Sequence, residues 1–242
     1  MRLDLYLFSN GLAKSRTEAK GFITDGAVSV NGKTVQKPSL DIDPDFDSVT
    51  VREGLNPFVS RGGFKLAEAL RAFKVSAHGK KCLDIGASSG GFTDCLLQSG
   101  AQRVVAVDSG KDQLAQALRT DSRVSVIEGY NARYMKASDF DCLPELAVMD
   151  VSFISATYII PSLGGILPSG ADFICLIKPQ FEVGRSAVGK GGIVKDEKER
   201  ARAVERVVQC AELCGFTKCG VIQSPIRGGD GNIEYLAHFK KD

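Results

Sequence analysis

Four charged residues stand where an open α/β sheet places its chemistry. Asp150 closes the apolar run Leu146–Met149. Lys178 follows the apolar run Ala171–Ile177 and is itself followed by Pro179, which cannot continue a hydrogen-bonded ladder. Glu234 starts the final apolar run, and Lys65 sits near the start of a helical pattern carried by Leu66, Leu70 and Phe73. Open α/β sheets bind ligands beyond the carboxyl ends of their strands, so Asp150 and Lys178 fall on the productive edge. Singly, each of the four reads as a surface charge. Together, two ammonium groups and two carboxylates could move a proton and orient a polar substrate.

The stretch that gives these residues a common purpose is Lys80–Asp108. Cys82–Ile85 is a short apolar run with the look of a buried strand, and the glycine-rich turn Gly86-Ala87-Ser88-Ser89-Gly90-Gly91 follows it directly. Phe92, Cys95, Leu96 and Leu97 recur at helical spacing, and Val104–Val107 is a second apolar run ending on Asp108. This strand–turn–helix–strand unit suits a nucleoside-bearing ligand: glycines let the backbone approach it, and the terminal carboxylate accepts hydrogen bonds from ribose hydroxyls. The dinucleotide fingerprint G-x-G-x-x-G is not met. Asp84, Asp94 and Asp108 would repel a pyrophosphate but suit a sulfonium and its ammonium group, which favours S-adenosyl-L-methionine. The expected cofactor positions are Asp84, Gly86, Ser88, Gly90, Gly91, Phe92, Asp108, Asn131 and Asp150. Asn131 is included because it lies just past the next strand, Val124–Ile127, where the adenine should fall; a plain turn residue is the competing reading.

The rest of the sheet follows from the same pattern. Phe216–Gln223 and Ile233–Phe239 read as two further strands, and Asp196–Leu213 as a long amphipathic helix with Ala201, Val204, Val208 and Ala211 inward. Gly184 to Gly191 spells G-x-x-x-x-G-K, but glycine stands where a phosphate loop needs serine or threonine, so no nucleotide phosphate site is expected there. The segment Val183–Ile193 reads instead as a mobile loop whose Arg185 and Lys190 could meet RNA phosphates.

Residues 1–53 read as a separate small unit, joined through a linker at 54–60 to a domain over 61–242. Leu3, Tyr6 and Leu7 mark a short helix ended by Gly11. Ser15-Arg16-Thr17-Glu18 has the form of a capping box. Asn31-Gly32 between Val28–Val30 and Lys33–Val35 signals a hairpin with a type I′ turn. Net charge over the whole chain is only +2, so a nucleic-acid site must be a local patch, and residues 1–37 supply one: six basic residues (Arg2, Lys14, Arg16, Lys20, Lys33, Lys37) against three acids. Arg16 and Lys20 share a helix face.

Seven dispersed cysteines in mostly apolar surroundings read as reduced thiols of a cytoplasmic protein. With His78 and His238 the only histidines, no metal site is expected, and no apolar run is long enough to span a bilayer.

Two resemblances sharpen these expectations. R-L-D-x-x-L, S-R-T-E-A and G-A-V-x-V-N-G-K resemble the alpha-L RNA-binding motif of a small-subunit ribosomal protein over nearly all of residues 1–47. S-R-G-G-F-K-L, L-D-I-G-A-S-S-G-G-F-T-D, M-D-V-S-F-I, I-K-P-Q-F-E and G-N-I-E-Y resemble the TlyA family, often labelled hemolysins, within the FtsJ-like RNA methyltransferases. The resemblance implies an α/β fold: a Rossmann-like class I methyltransferase sheet of seven strands, the seventh antiparallel, with helices on both faces, preceded by a small α+β RNA-binding domain. It implies S-adenosyl-L-methionine as cofactor, ribosomal RNA or ribosomal subunits as partner, and 2′-O-methylation of a ribose, at cytidine by family analogy. It also implies a catalytic set of Lys65, Asp150, Lys178 and Glu234; the expected RNA contacts, read from the basic patch and the loop above, are Arg2, Lys14, Arg16, Lys20, Lys33, Arg185 and Lys190. A ribose hydroxyl is a weak acid, and free lysine, with a pKa of about 10.4, is protonated near neutrality. Burial and a neighbouring cation lower such a value, so Lys178 is expected as base beside Lys65. Two rivals stay open: a non-catalytic RNA-binding protein on a methyltransferase fold, and a membrane-active hemolysin, against which the lack of a membrane-directed segment counts.

Overall fold

The computed structural model describes residues 1–13, 15–52, 57–228 and 230–242. Lys14, Glu53, residues 54–56 of the expected linker and Gly229 lie outside the described residues. The chain divides into two compact units, Met1–Pro57 and Phe58–Asp242.

The first unit holds helices α1 (Leu3–Ser9) and α2 (Arg16–Thr24) and strands β1 (Val28–Val30), β2 (Lys33–Val35) and β3 (Val49–Val51). Ser15 caps α2 by accepting a hydrogen bond from the Glu18 amide at 3.1 Å. Asn31 and Gly32 both take positive φ, 52° and 75°, as the type I′ hairpin turn requires. β3 adds to the free side of β1, giving the order β2-β1-β3. Leu3, Leu7, Ala19, Ile23, Val28 and Ile42 close a core of their own.

The second unit begins with α3 (Gly62–Phe73) and continues β4 (Lys81–Ile85), α4 (Gly91–Gln98), β5 (Arg103–Val107), α5 (Gln116–Arg119), β6 (Val124–Ile127) and β7 (Leu146–Met149). Then come α6 (Ile160–Gly164), β8 (Asp172–Ile177), α7 (Pro179–Glu182), α8 (Glu197–Leu213), β9 (Phe216–Gln223) and β10 (Tyr235–Lys241). The seven strands run in the order β6-β5-β4-β7-β8-β10-β9. All pairs are parallel except those of β10, which is antiparallel to both neighbours. β7 and β8 are buried at every position, as strands covered on both faces must be. One apolar layer, with Leu66, Leu96 and Leu118, lies under α3, α4 and α5; the other, with Ile160, Val207 and Phe216, lies under α6 and α8.

Three expectations need correction. Phe58 and Val59 are not linker. Phe58 meets Phe64 edge-to-face at 5.6 Å, and the Val59 amide donates to the Asp94 carboxylate at 2.7 Å, so both belong to the second unit. On α8 the buried stripe is Ala203, Val207, Val208 and Ala211, while Ala201 is exposed. Finally, Leu114, Ala117 and Leu118 keep helical spacing and predict a helix reaching back to Leu114, but α5 is a single turn. The amides of Asp112, Gln113 and Leu114 are turned toward the Glu128 carboxylate, which holds them in a loop at 2.9, 3.1 and 3.3 Å.

Candidate active site

The glycine turn is built by the register of three parallel strands. Ile85 of β4 pairs with Val107 of β5 and Met149 of β7, so Gly86, Asp108 and Asp150 leave the sheet side by side. Gly86 and Ala87 donate their amides to the Val107 carbonyl at 2.8 and 3.1 Å, which folds the turn back over β5. Gly86 has φ of 82°, and a methyl group there would overlap the Asp150 carbonyl oxygen. Only glycine satisfies both conditions. Asp108 accepts the Ser88 amide on one oxygen and the Gly110 amide on the other, each at 2.7 Å. The carboxylate is thereby aimed, and each oxygen keeps a lone pair for a ligand hydroxyl.

Two cavities open on this edge. The larger, about 720 Å³, is lined by Gly86, Ser88, Asp108, Asn131, Asp150 and Ser152 among others. The smaller, about 270 Å³, is lined by Lys65, Gly91, Phe92, Asp150, Lys178 and Arg227, among others. Gly86, Ser88, Asp150 and Ser152 belong to both, so the two form a continuous cleft.

Lys178 Nζ lies 2.5 Å from Asp150 Oδ1. That contact has the distance of an ion pair without the direction of a hydrogen bond; the directed bond goes from Lys178 Nζ to Ser152 Oγ at 2.7 Å. Lys65, only 8% exposed, donates to Glu234 Oε2 at 2.6 Å across 169 residues of sequence. Glu234 reaches the site because β10 is antiparallel. Tyr235 pairs with Ile177, so the residue that begins this strand comes level with the residue that ends β8. The four charged residues are thus two ion pairs at one sheet edge, and Lys65, Asp150 and Lys178 line one cavity.

The other expected positions divide. Gly91 lines the smaller cavity, and a side chain on it would collide with Ser60 and the Gly63 amide, so it also lets α3 approach α4. Gly90, at φ 97°, lines neither cavity and packs against Leu114 and Leu118. Asn131 lines the larger cavity and also caps the turn Ala132–Tyr134. Asp84 is not on the cleft. Alternation along β4 turns Ile85 toward the larger cavity and Asp84 toward α4, where it accepts from Thr93 Oγ1 at 2.6 Å. Burial pushes its carboxyl up to about 7 despite the Thr93 bond, and its Oδ1 has no partner.

Of the expected RNA contacts, Arg2 and Arg16 both bind the Asp4 carboxylate, at 2.9 and 3.2 Å, yet remain about half exposed. The hydrogen bond from Arg2 outweighs burial and holds Asp4 down at about 2. Lys20 and Lys33 are exposed. Arg185 and Lys190 are exposed on the short turns Arg185–Ala187 and Lys190–Gly192 and line neither cavity of the cleft.

Sequence reasoning missed Ser152, which holds Lys178, and the cavity residues Ser60, Arg61 and Arg227. It also missed Phe153, which is 92% exposed at φ 65° on the larger cavity. The signal available was position: Ser152 and Phe153 follow a strand-ending aspartate directly. Among the described residues no cluster of His, Cys, Asp or Glu could hold a metal ion, and no helix is long and apolar enough to cross a membrane.

An open sheet with an antiparallel seventh strand, a glycine turn after its first strand and a carboxylate ending the second defines the Rossmann-like methyltransferase class. Residues 58–241 match the profile of the FtsJ-like methyltransferases, and residues 1–45 match the S4 domain. Relatives share most of the chain. The 16S/23S rRNA (cytidine-2′-O)-methyltransferase TlyA of Mycobacterium tuberculosis is 43% identical over 235 residues, covering 97% of this chain and 88% of that one. Hemolysin A of Brachyspira hyodysenteriae is 45% identical over 240 residues, 99% of each chain. A solved Streptococcus thermophilus chain classed with the hemolysins superposes with a TM-score of 0.80 at 43% identity, covering 100% of this chain and 88% of that one. The chain belongs to the FtsJ-like methyltransferase family and carries an S4 domain ahead of the catalytic unit.

Proposed function

We propose that this protein transfers the methyl group of S-adenosyl-L-methionine to a ribose 2′-hydroxyl of ribosomal RNA, at a cytidine, and does so in the cytoplasm. The observation that carries the reading is the joint lining of one cavity by Lys65, Asp150 and Lys178, continuous with the cleft that Asp108 and the glycine turn form. The names of the TlyA relatives supply the nucleotide and the ribosomal RNA; the S4 domain supports RNA as the class of substrate.

The bound cofactor supplies an electrophilic methyl group on a sulfonium. The Asp108 carboxylate would take the ribose hydroxyls of the cofactor, and Gly86 lets the turn pack against the Asp150 backbone. Displacement in line with the departing sulfur demands alignment and a deprotonated nucleophile. Lys178, once it has released its own proton to solvent, takes the proton from the 2′-hydroxyl, and Ser152 and Asp150 hold its Nζ at the cavity. Lys65, held by Glu234, lies by the reacting oxygen and stabilises its developing negative charge.

The test is incubation with labelled S-adenosyl-L-methionine and separated ribosomal subunits, followed by mapping of the label. Label on a cytidine 2′-oxygen is the expected result; no transfer to either subunit would leave the RNA-binding reading in its place. Asp108→Ala should weaken cofactor binding at least tenfold by calorimetry, the loss expected for a hydrogen-bonded charged group, and unchanged affinity would remove Asp108 from the site.

A further inference from the structure

A 2′-hydroxyl never enters an active site alone. The adjacent ring carbon of the same ribose carries the 3′-phosphodiester, so a cavity that receives the hydroxyl must also accept an anion beside it. Two carboxylates complicate this. Asp150 lines the cavity and Glu234 stands directly behind Lys65, so the charges of Lys178 and Lys65 are each matched by an acid at 2.5 and 2.6 Å. The remaining charged residues on the cavity wall are Arg61 and Arg227.

Arg227 is exposed, and its described hydrogen bond is a 3.3 Å contact from Nη1 to the Gly231 carbonyl. Its backbone, by contrast, is fixed. Ser224 donates its amide to the Glu234 carbonyl and its hydroxyl to the Ile226 carbonyl, both at 2.8 Å. Gly228 packs on the Glu234 carboxylate so closely that a methyl group there would overlap it. Asn232, 1% exposed, accepts the Val194 amide at 2.9 Å and donates to the Gly192 carbonyl at 2.9 Å. The loop bearing Arg227 is therefore tied both to the carboxylate that holds Lys65 and to the segment bearing Lys190. A guanidinium on a fixed loop at the mouth of a cavity, with donors to spare, is matched to a phosphate, which it can bind with two parallel hydrogen bonds.

We propose that Arg227 forms a phosphate subsite for the phosphodiester on the 3′ side of the ribose that is methylated. The proposal rests on the reading of the cavity as a ribose site, and it adds a division of labour: Lys65 and Lys178 act on the hydroxyl, while Arg227 holds the phosphate next to it and sets the depth at which the ribose enters.

Calorimetry on the full chain, saturated with S-adenosyl-L-homocysteine, tests this without relying on methyl transfer. Cytidine 3′,5′-bisphosphate should bind at least tenfold more tightly than cytidine. Arg227→Ala should erase most of that difference, and Arg227→Lys should restore part of it. With ribosomal subunits, Arg227→Ala should raise KM about tenfold and lower the log–log salt slope by roughly one. Equal binding of the bisphosphate and cytidine by the wild type, or by Arg227→Ala and wild type, overturns the subsite. Failure of the wild type to methylate any subunit overturns the assigned reaction instead, and the bisphosphate comparison still decides the fate of Arg227.

Discussion

Lys178 and Asp84 show how burial and partners decide what an ionisable residue does. Lys178 ends β8 with its amine directed at Ser152 and beside Asp150. As the proposed base it should be irreplaceable: Lys178→Ala should abolish single-turnover transfer while keeping cofactor affinity within a few-fold. Lys178→Arg should fail as well, since guanidinium does not release a proton in this pH range. Near-normal turnover in either variant would move the base elsewhere. Asp84 is a carboxyl whose ionisation the fold resists. Its folded value of about 7 lies above the ordinary carboxylate value, so the folded state holds this proton more tightly than the unfolded chain does. Stability should therefore fall as pH rises from about 4 to about 7, and level off above that. Asp84→Asn cannot ionise. Denaturant melts at pH 5 and pH 8 should show the variant gaining on the wild type at the higher pH, by an amount on the order of a few kcal/mol. An identical difference at both values would mean that Asp84 is not protonated in the native state.

At the scale of elements, the glycine turn is a close junction between β4 and the end of β7. Gly86→Ala should destabilise the protein by about 1–3 kcal/mol through overlap with the Asp150 carbonyl, and weaken cofactor binding with it. A Tm and a calorimetric affinity both unchanged from wild type would contradict this geometry. How far such features can be read from sequence follows from what each depends on. The turn after Ile85, Asp108 at the end of β5 and the Asn31-Gly32 hairpin were legible because local chemistry dictates them: glycine where φ is positive, and a polar residue where an apolar run stops. The side on which a residue lands was less legible. Asp84 adjoins the turn in sequence but faces α4, and Ala201 keeps helical spacing yet faces outward. Both outcomes are set by partners distant in sequence. Ser152, Arg61 and Arg227 were not legible for the same reason: three separate loops meet at the cavity, and no spacing within any one of them records the meeting.

For the whole molecule, two units with separate cores imply separable duties. The basic face of residues 1–37 should carry much of the RNA affinity. Replacing Arg16 and Lys20 together by alanine should weaken subunit binding and lower the log–log salt slope by roughly two, with cofactor affinity untouched. A chain beginning at Phe58 keeps both apolar layers of the sheet and should still bind cofactor, but methylate subunits poorly. Methylation by that shortened chain at the full rate would place RNA recognition within the catalytic unit.

The antiparallel strand β10 carries one more consequence, in the order of synthesis. It lies between β8 and β9 yet is translated after both, and Glu234 comes with it. A nascent chain halted after β9 already contains the glycine turn, Asp108, Asp150 and Lys178, but β8 and β9 lack the strand that joins them, and Lys65 lacks its carboxylate. The first unit can fold early, since domains fold as they emerge. The catalytic centre must wait for β10, so a nascent copy could bind RNA while still on the ribosome that is making it, before it has the means to modify any.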